Sequence, residues 1–254
     1  SLAALRMAKE KGVKTLGIVN VVGSSIAREA DSVFYTLAGP EIAVASTKAY
    51  TSQLALFALL VARMAYVRGD FTETETRDFV WELKRVPDAM EKVLAGKEKI
   101  HHIAGRIISA KDIFMIGRGL DYFIAMEGSL KLKEVSYIHS EAYASGELKH
   151  GPLALITEHT PVVAVATQKQ LLSKEVSNIR EVRSRGADVV LFAKEQLMPE
   201  EEEGYLTFEL PDVRDEFMCL PAAAALQLLA YYVSSDKGYD VDKPRNLAKV
   251  VTVE

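Results

Sequence analysis

The chain has 254 residues, 49% of them hydrophobic and 26% charged, with a formal net charge of −4 and one cysteine. This is the composition of an ordinary soluble globular protein of one or two domains, long enough to bury a sizeable core. It gives no electrostatic reason for nucleic acid or an anionic membrane as partner, and a lone Cys219 excludes an internal disulfide framework, which fits a reducing cytoplasm.

The first residues carry helical spacing at Leu2, Leu5 and Ala8, with Ser1 as the expected N-cap and Gly12 as the stop. KTLGIVNV (residues 14–21) follows as a short apolar strand suited to a parallel sheet covered on both faces. A helix feeding such a strand with no strand before it predicts a chain cut inside a domain. GSSIAREADSVFYTL then predicts a short helix and a strand, and GPEIAVASTKAYTSQ (residues 39–53) a small, Ser/Thr-rich entry to a long apolar helix over residues 51–66. The charged stretch 68–99 has helical spacing but little continuous apolar sequence. It reads as a helical linker between two lobes, docked by Val80, Trp81 and Leu83.

A second α/β unit begins with a helix around residues 100–108, the strand DIFMIGRG (112–119) and a helix over 122–137. Strand PVVAVAT (161–167), a helix near 171–185, strand ADVVLFA and the weaker strand YLTFEL continue the alternation. The apolar run 217–233 raises the question of a membrane span, but Pro221, Gln227 and the alanine block between them favour a buried helix. Cys219, inside that run, reads as a structural thiol, because no charged neighbour lowers its pKa. The order of elements repeats that of the first lobe, so two related α/β lobes are expected, the first incomplete.

Four segments carry candidate chemistry. In FMIGRGLDY, glycines at the carboxyl end of a strand let backbone N–H groups approach an anion, although Gly-Arg-Gly by itself reads more readily as tight-turn packing. On the next helix, Glu127, Lys131 and Glu134 share one face by their spacing of four and three. They form either a solvated salt-bridge stripe or a partly desolvated acid/base pair, the latter because Ile124, Leu130, Val135 and Ile138 make much of the remaining circumference apolar. SEAYASGELKHGPLALI holds His150, three residues after Glu147, in what reads as a tight loop, with an ordinary surface histidine as the alternative. The last segment, DKPRNLAKVVTVE (242–254), is apolar enough to be docked. Its Lys249 is either a solvated tail lysine or an amine held in an apolar pocket, where it loses its proton more readily and attacks carbonyls. Adjacent His101 and His102 face different ways, no side-chain set has metal-ligand spacing, and neither a Gly-x-Ser-x-Gly elbow nor a nucleotide phosphate loop is present.

The tail, SYIHSEAYASGELKHGPLALI and GPEIAVASTKAYTSQ together resemble the isomerase half of the glutamine–fructose-6-phosphate aminotransferases, the glucosamine-6-phosphate synthases, over essentially the whole chain. The resemblance implies an α/β fold of two SIS-type lobes, each a flavodoxin-like parallel sheet flanked by helices, the first N-terminally truncated. Residues 1–70 would be the end of the first lobe, 71–99 the helical linker, 100–240 the second lobe and 241–254 an active-site tail. It implies conversion of fructose 6-phosphate to glucosamine 6-phosphate through a Schiff base and C1/C2 proton transfer, with ammonia from a glutaminase domain absent here and no metal or organic cofactor. By the same resemblance Lys249 forms the Schiff base, Glu134 moves the proton, Lys131 supports it, and His150 assists ring opening from a neighbouring subunit. Val44, Ser46 and Ala248 would line the sugar.

The family's phosphate-binding turns, Cys-Gly-Thr-Ser and Ser-Gln-Ser-Gly-Glu-Thr, are not in the sequence. The partners implied are a phosphosugar, a second copy in a homodimer with a shared site, and the glutaminase domain, in the cytoplasm, with neither nucleic acid nor membrane. Two other classes compete: a catalytically silent SIS module that senses a phosphosugar for regulation, and a purely structural flavodoxin-like domain. The first would need the phosphate turns but not Lys249, and the second would leave the tail unconstrained.

Overall fold

In the computed structural model, which describes residues 1–198 and 205–249, the chain divides into two units. One comprises residues 1–42 and 46–77, the other residues 43–45 and the chain from Asp78 onward. The first unit opens with α1 (Leu2–Glu10), preceded by Ser1, whose side chain makes no capping hydrogen bond. β1 (Leu16–Val19) and β2 (Ser32–Tyr35) pair in parallel with Leu16 opposite Ser32, joined by α2 (Ser25–Glu29), which the Ser24 hydroxyl caps. β1 stops short of the apolar run that predicts it because Asn20 turns away to bond the chain beyond β2. Its amide donates to Gly39 O at 2.7 Å and its carbonyl accepts from Thr36 Oγ1 and Ala38 N.

α3 (Lys48–Arg68) is apolar around most of its circumference, and Gly69 in the left-handed region ends it. Only Ala62 on it is buried, while Phe57, Val61, Met64 and Val67 are exposed. By length and composition alone, α3 and the segment Asp215–Asp236 could each cross a membrane; the second is mostly buried within its unit.

α4 (Glu73–Ala95) begins on a reciprocal cap, in which Thr72 N donates to Glu75 Oε2 at 2.8 Å and Glu75 N to Thr72 Oγ1 at 3.2 Å. In the second unit it buries Phe79, Leu83, Val86, Ala89 and Val93, one helical stripe, with Phe79 edge-on to Phe217 at 4.8 Å. Trp81, expected to dock this helix, is 63% exposed. It lies two residues from Phe79, well around the helix from the buried stripe.

The second unit continues with α5 (Lys97–Ile107), β3 (Asp112–Gly117), α6 (Leu120–Ser136), β4 (His139–Ala144) and 3₁₀ turns at Ser145–His150 and Pro152–Leu155. β5 (Pro161–Ala166), α7 (Leu172–Arg183), β6 (Asp188–Lys194), β7 (Leu206–Leu210) and α8 (Cys219–Asp236) complete it. All five strands are parallel, in the order β4-β3-β5-β6-β7. Each face of the sheet has its own core. Met115, Val163, Val165, Val190 and Phe192 pack under α5, α6 and α8, and Phe114, Ile116, Val162, Ala164 and Leu191 pack under α7. Alternate residues of one strand thus enter opposite cores, which is why the strands read as unbroken apolar runs.

β4 is the element that sequence patterning does not reveal. HSEAYA has no β-branched residue, and half the segment looks like loop. It forms at the sheet edge, paired only to β3, where polar residues meet solvent rather than a second strand.

Candidate functional site

In this topology the chain leaves β3 for β4 on one side and returns to β5 on the other, so the topological switch point lies at the carboxyl ends of β3 and β5. The turn after β3 is packed shut against its own helix. A Cβ on Gly117 would lie 2.5 Å from the Asp121 carbonyl carbon, so only glycine fits there. Asp121, buried in the first turn of α6, accepts from Thr167 N at 2.8 Å and Thr167 Oγ1 at 2.5 Å, tying the end of β5 to α6. Burial raises its pKa and those hydrogen bonds oppose the rise. The Gly-Arg-Gly turn therefore serves close packing in this unit.

Nearly two turns further along α6 the charged array begins. Lys131 Nζ donates to Glu134 Oε2 at 2.6 Å and stands 3.9 Å from Glu127 Oε1. Gln227 Nε2 of α8 donates to Glu127 from the other side at 3.4 Å. Lys131 and Glu127 are buried and Glu134 is half-buried, so this face is a desolvated cluster and not a solvated stripe. Burial pushes the Glu127 carboxyl up, with Lys131 and the Gln227 hydrogen bond drawing it back. Of the apolar residues expected beside the array, Ile124, Val135 and Ile138 are buried, but Leu130 is 43% exposed, in line with Phe123 and Met126 on the outer face of α6.

The C-terminal segment is docked to the end of α6. Tyr137, the left-handed residue that closes the helix, accepts from Arg245 N at 2.7 Å, and the Arg245 guanidinium lies 4.2 Å from the centre of its ring. Pro244 is buried beside it. Val44 N donates to Asp242 O at 2.9 Å, and Lys249 Nζ donates to Val44 O at 3.4 Å. Val44 is thus gripped at both ends by the C-terminal segment. Lys249 is exposed, and among the described residues the Val44 carbonyl accepts from its ammonium. Ala248 is exposed, and the rest of the tail, 250–254, lies outside the described residues. Ser46 is half-buried in the first unit.

His150 closes the 3₁₀ turn after β4, its side chain 75% exposed and 4.0 Å from Glu147 Oε2. Among the described residues, then, α6 unites Glu127, Lys131 and Glu134, and the C-terminal segment unites Lys249 with Val44. Sequence reasoning passed over Gln227, Arg118, Glu175 and Asn178. For the last two a signal existed, since Glu175 and Asn178 precede Ile179 and Val182 on the buried stripe of α7.

No group of three or more His, Cys, Asp or Glu side chains among the described residues is arranged to hold a metal. A cavity of about 550 Å³ lies at the opposite, amino edge of the sheet, with Arg106, Lys111, His139 and His159 in its wall. Cys219 donates to Glu216 O at 3.7 Å, and burial pushes its thiol up to about 11, against a role as nucleophile.

A family model described as SIS domain matches residues 1–63 and 106–234. The glutamine–fructose-6-phosphate aminotransferase [isomerizing] of Caldanaerobacter subterraneus is 53% identical over all 254 residues, and its namesake in Clostridium acetobutylicum is 52% identical. The chain spans 42% of the length of each of these curated relatives. Among solved structures, the C-terminal domain of glucosamine–fructose-6-phosphate aminotransferase from Francisella tularensis superposes with a TM-score of 0.91 at 40% identity, covering 96% of this chain and 69% of that one. A Thermotoga maritima glucosamine-6-phosphate deaminase shares the fold at a TM-score of 0.76 and 24% identity, covering 98% of this chain and 70% of that one.

Proposed function

Because the chain belongs to the SIS domain family, we propose that it is the sugar-phosphate isomerase module of an enzyme that makes glucosamine 6-phosphate from fructose 6-phosphate and ammonia. The observation that carries this reading is the half-buried Glu134 carboxylate held at 2.6 Å by a buried ammonium, Lys131, in a chain that also retains Lys249 and His150. A carboxylate fixed in this way is suited to take a proton from one carbon and return it to the next.

The proposed sequence uses only groups of this chain and its substrates. His150 assists opening of the sugar ring. Lys249 attacks the C2 ketone, a C–N bond forms, and water leaves. Ammonia then takes the place of the lysine at C2. The iminium acidifies C1, Glu134 removes that proton and delivers it to C2, the C1 hydroxyl proton passes to the nitrogen at C2, and the C1 aldehyde of the amino sugar results. Lys131 keeps Glu134 oriented. Val44, Ser46 and Ala248 line the sugar, and the ammonia comes from a glutaminase domain in the longer protein. We also place the enzyme in the cytoplasm as a homodimer. Support for the dimer comes from His150, whose imidazole stands exposed on its turn and is free to serve a second copy.

Borohydride reduction of the intact protein with fructose 6-phosphate is expected to trap a sugar adduct on Lys249, located by peptide mass spectrometry. An adduct that survives undiminished in Lys249→Ala, or none on Lys249 in the wild type, overturns the assignment.

A further inference from the structure

Glu175 plays no part in the chemistry above, yet it is 2% exposed and sits directly behind the turn that carries His150. We propose that Glu175, with Arg118 and Asn178, is a positioning device that holds the 145–150 turn in register for His150. The proposal deepens the functional reading and rests on His150 serving the sugar site.

Three contacts from α7 reach this turn or its support. Ser145, fully buried at the start of the turn, donates its hydroxyl to Glu175 Oε1 at 2.8 Å. At the other end Lys149 pairs with Glu181 at 3.1 Å. Between them Arg118, from the turn after β3, donates through Nε and Nη2 to Asn178 Oδ1 at 3.1 and 2.7 Å, and its Nε stands 3.8 Å from Glu175 Oε2. A Cβ on Gly146 would lie 3.0 Å from Arg118 Nη2, so the missing side chain lets the guanidinium lie against the turn.

Glu175, Asn178 and Glu181 are three residues apart on α7, so one face of one helix presents all three contacts. A six-residue 3₁₀ run has poor hydrogen-bond geometry and does not hold itself. Among the described residues, Glu175 Oε2 accepts no hydrogen bond. An acid buried in this half-satisfied way is worse for stability than a well-packed apolar residue. Its effect is to fix where Ser145 goes, and with it the start of the turn whose other end Glu181 holds.

The test is made in the intact protein, with two readouts. In Glu175→Ala and Ser145→Ala, hydrogen exchange of the 145–150 amides is expected to rise about tenfold, and kcat to fall about tenfold with KM unchanged within twofold, because ring opening and not sugar binding suffers. Glu175→Gln, which still accepts from Ser145, restores both. Combining Glu175→Ala with His150→Ala should cost no more than His150→Ala alone. Unchanged exchange in both alanine variants overturns the proposal, as does a fully multiplicative loss in the double variant. If His150→Ala by itself leaves turnover intact, the sugar-site reading fails instead. Exchange in the alanine variants then decides the matter alone: faster exchange supports the holding of the turn and unchanged exchange ends it.

Discussion

Glu175 also shows how burial sets protonation in this molecule. Its carboxyl is pushed up to about 7, first by desolvation, which the Ser145 hydrogen bond and the Arg118 charge only partly offset and which Asp121 reinforces. A raised folded-state pKa binds the proton more tightly in the native protein than in the unfolded chain. The stabilisation is therefore complete below the unfolded value, near 4.5, and is lost as pH rises through about 7. Glutamine cannot ionise, so Glu175→Gln should match the wild type near pH 4 and exceed it by about 3 kcal/mol at pH 8. Urea titrations at the two pH values measure this. An equal stability difference at both would show that the carboxyl does not titrate in that window. Glu127 follows the same physics on α6, where Lys131 and Gln227 limit the rise.

Among the elements, α6 and α8 form the closest pair around the site. Both are rich in small residues where they cross. Ser234 Oγ donates to Val135 O at 2.7 Å across the interface, and Gly128 faces Leu226. A Cβ on Gly128 would stand 2.5 Å from Leu226 Cδ1, 3.1 Å from Leu226 Cβ and 3.1 Å from Met115 Sδ. Gly128→Ala should cost about 1–3 kcal/mol by overpacking, against the usual gain of alanine over glycine in a helix. Because Glu127 and Lys131 flank this contact, the substitution should also lower turnover; thermal unfolding together with the steady-state rate checks both. A variant as stable as the wild type would mean that Leu226 can move away. The same crossing explains why the long apolar α8 belongs to a core: its alanines fill the space under α6.

Across the whole molecule the two units are unevenly built. The second contains both continuous cores, while the hydrophobic residues buried in the first, among those described, are Val19 and Ala62. Residues 43–45 are grouped with the second unit although the chain on both sides belongs to the first, and Val44 there meets the C-terminal segment. The proposed homodimer makes a prediction at this scale. If His150 serves the site of the other copy, mixing inactive His150→Ala and Lys249→Ala proteins under conditions of subunit exchange should regenerate part of the activity, since each mixed dimer has one intact site. Steady-state assays of the mixture read this directly, and no recovery despite demonstrated exchange would place His150 and Lys249 of one copy in the same site.

The sequence by itself determined the alternation of strands and helices, because strands buried on both faces are apolar at every position. It also placed Glu127, Lys131 and Glu134 on one helical face, since 3.6 residues per turn permits nothing else. Tertiary structure decided whether that face is wet. Spacing alone favoured a solvated stripe over a desolvated array, and only the packing of Gln227 and α8 against α6 buries it. Tertiary structure likewise decided that HSEAYA is a strand, since an edge pairing with β3 needs no hydrophobic pattern of its own. It also brought Lys249 onto the Val44 carbonyl, a partner 205 residues away that no local pattern indicates.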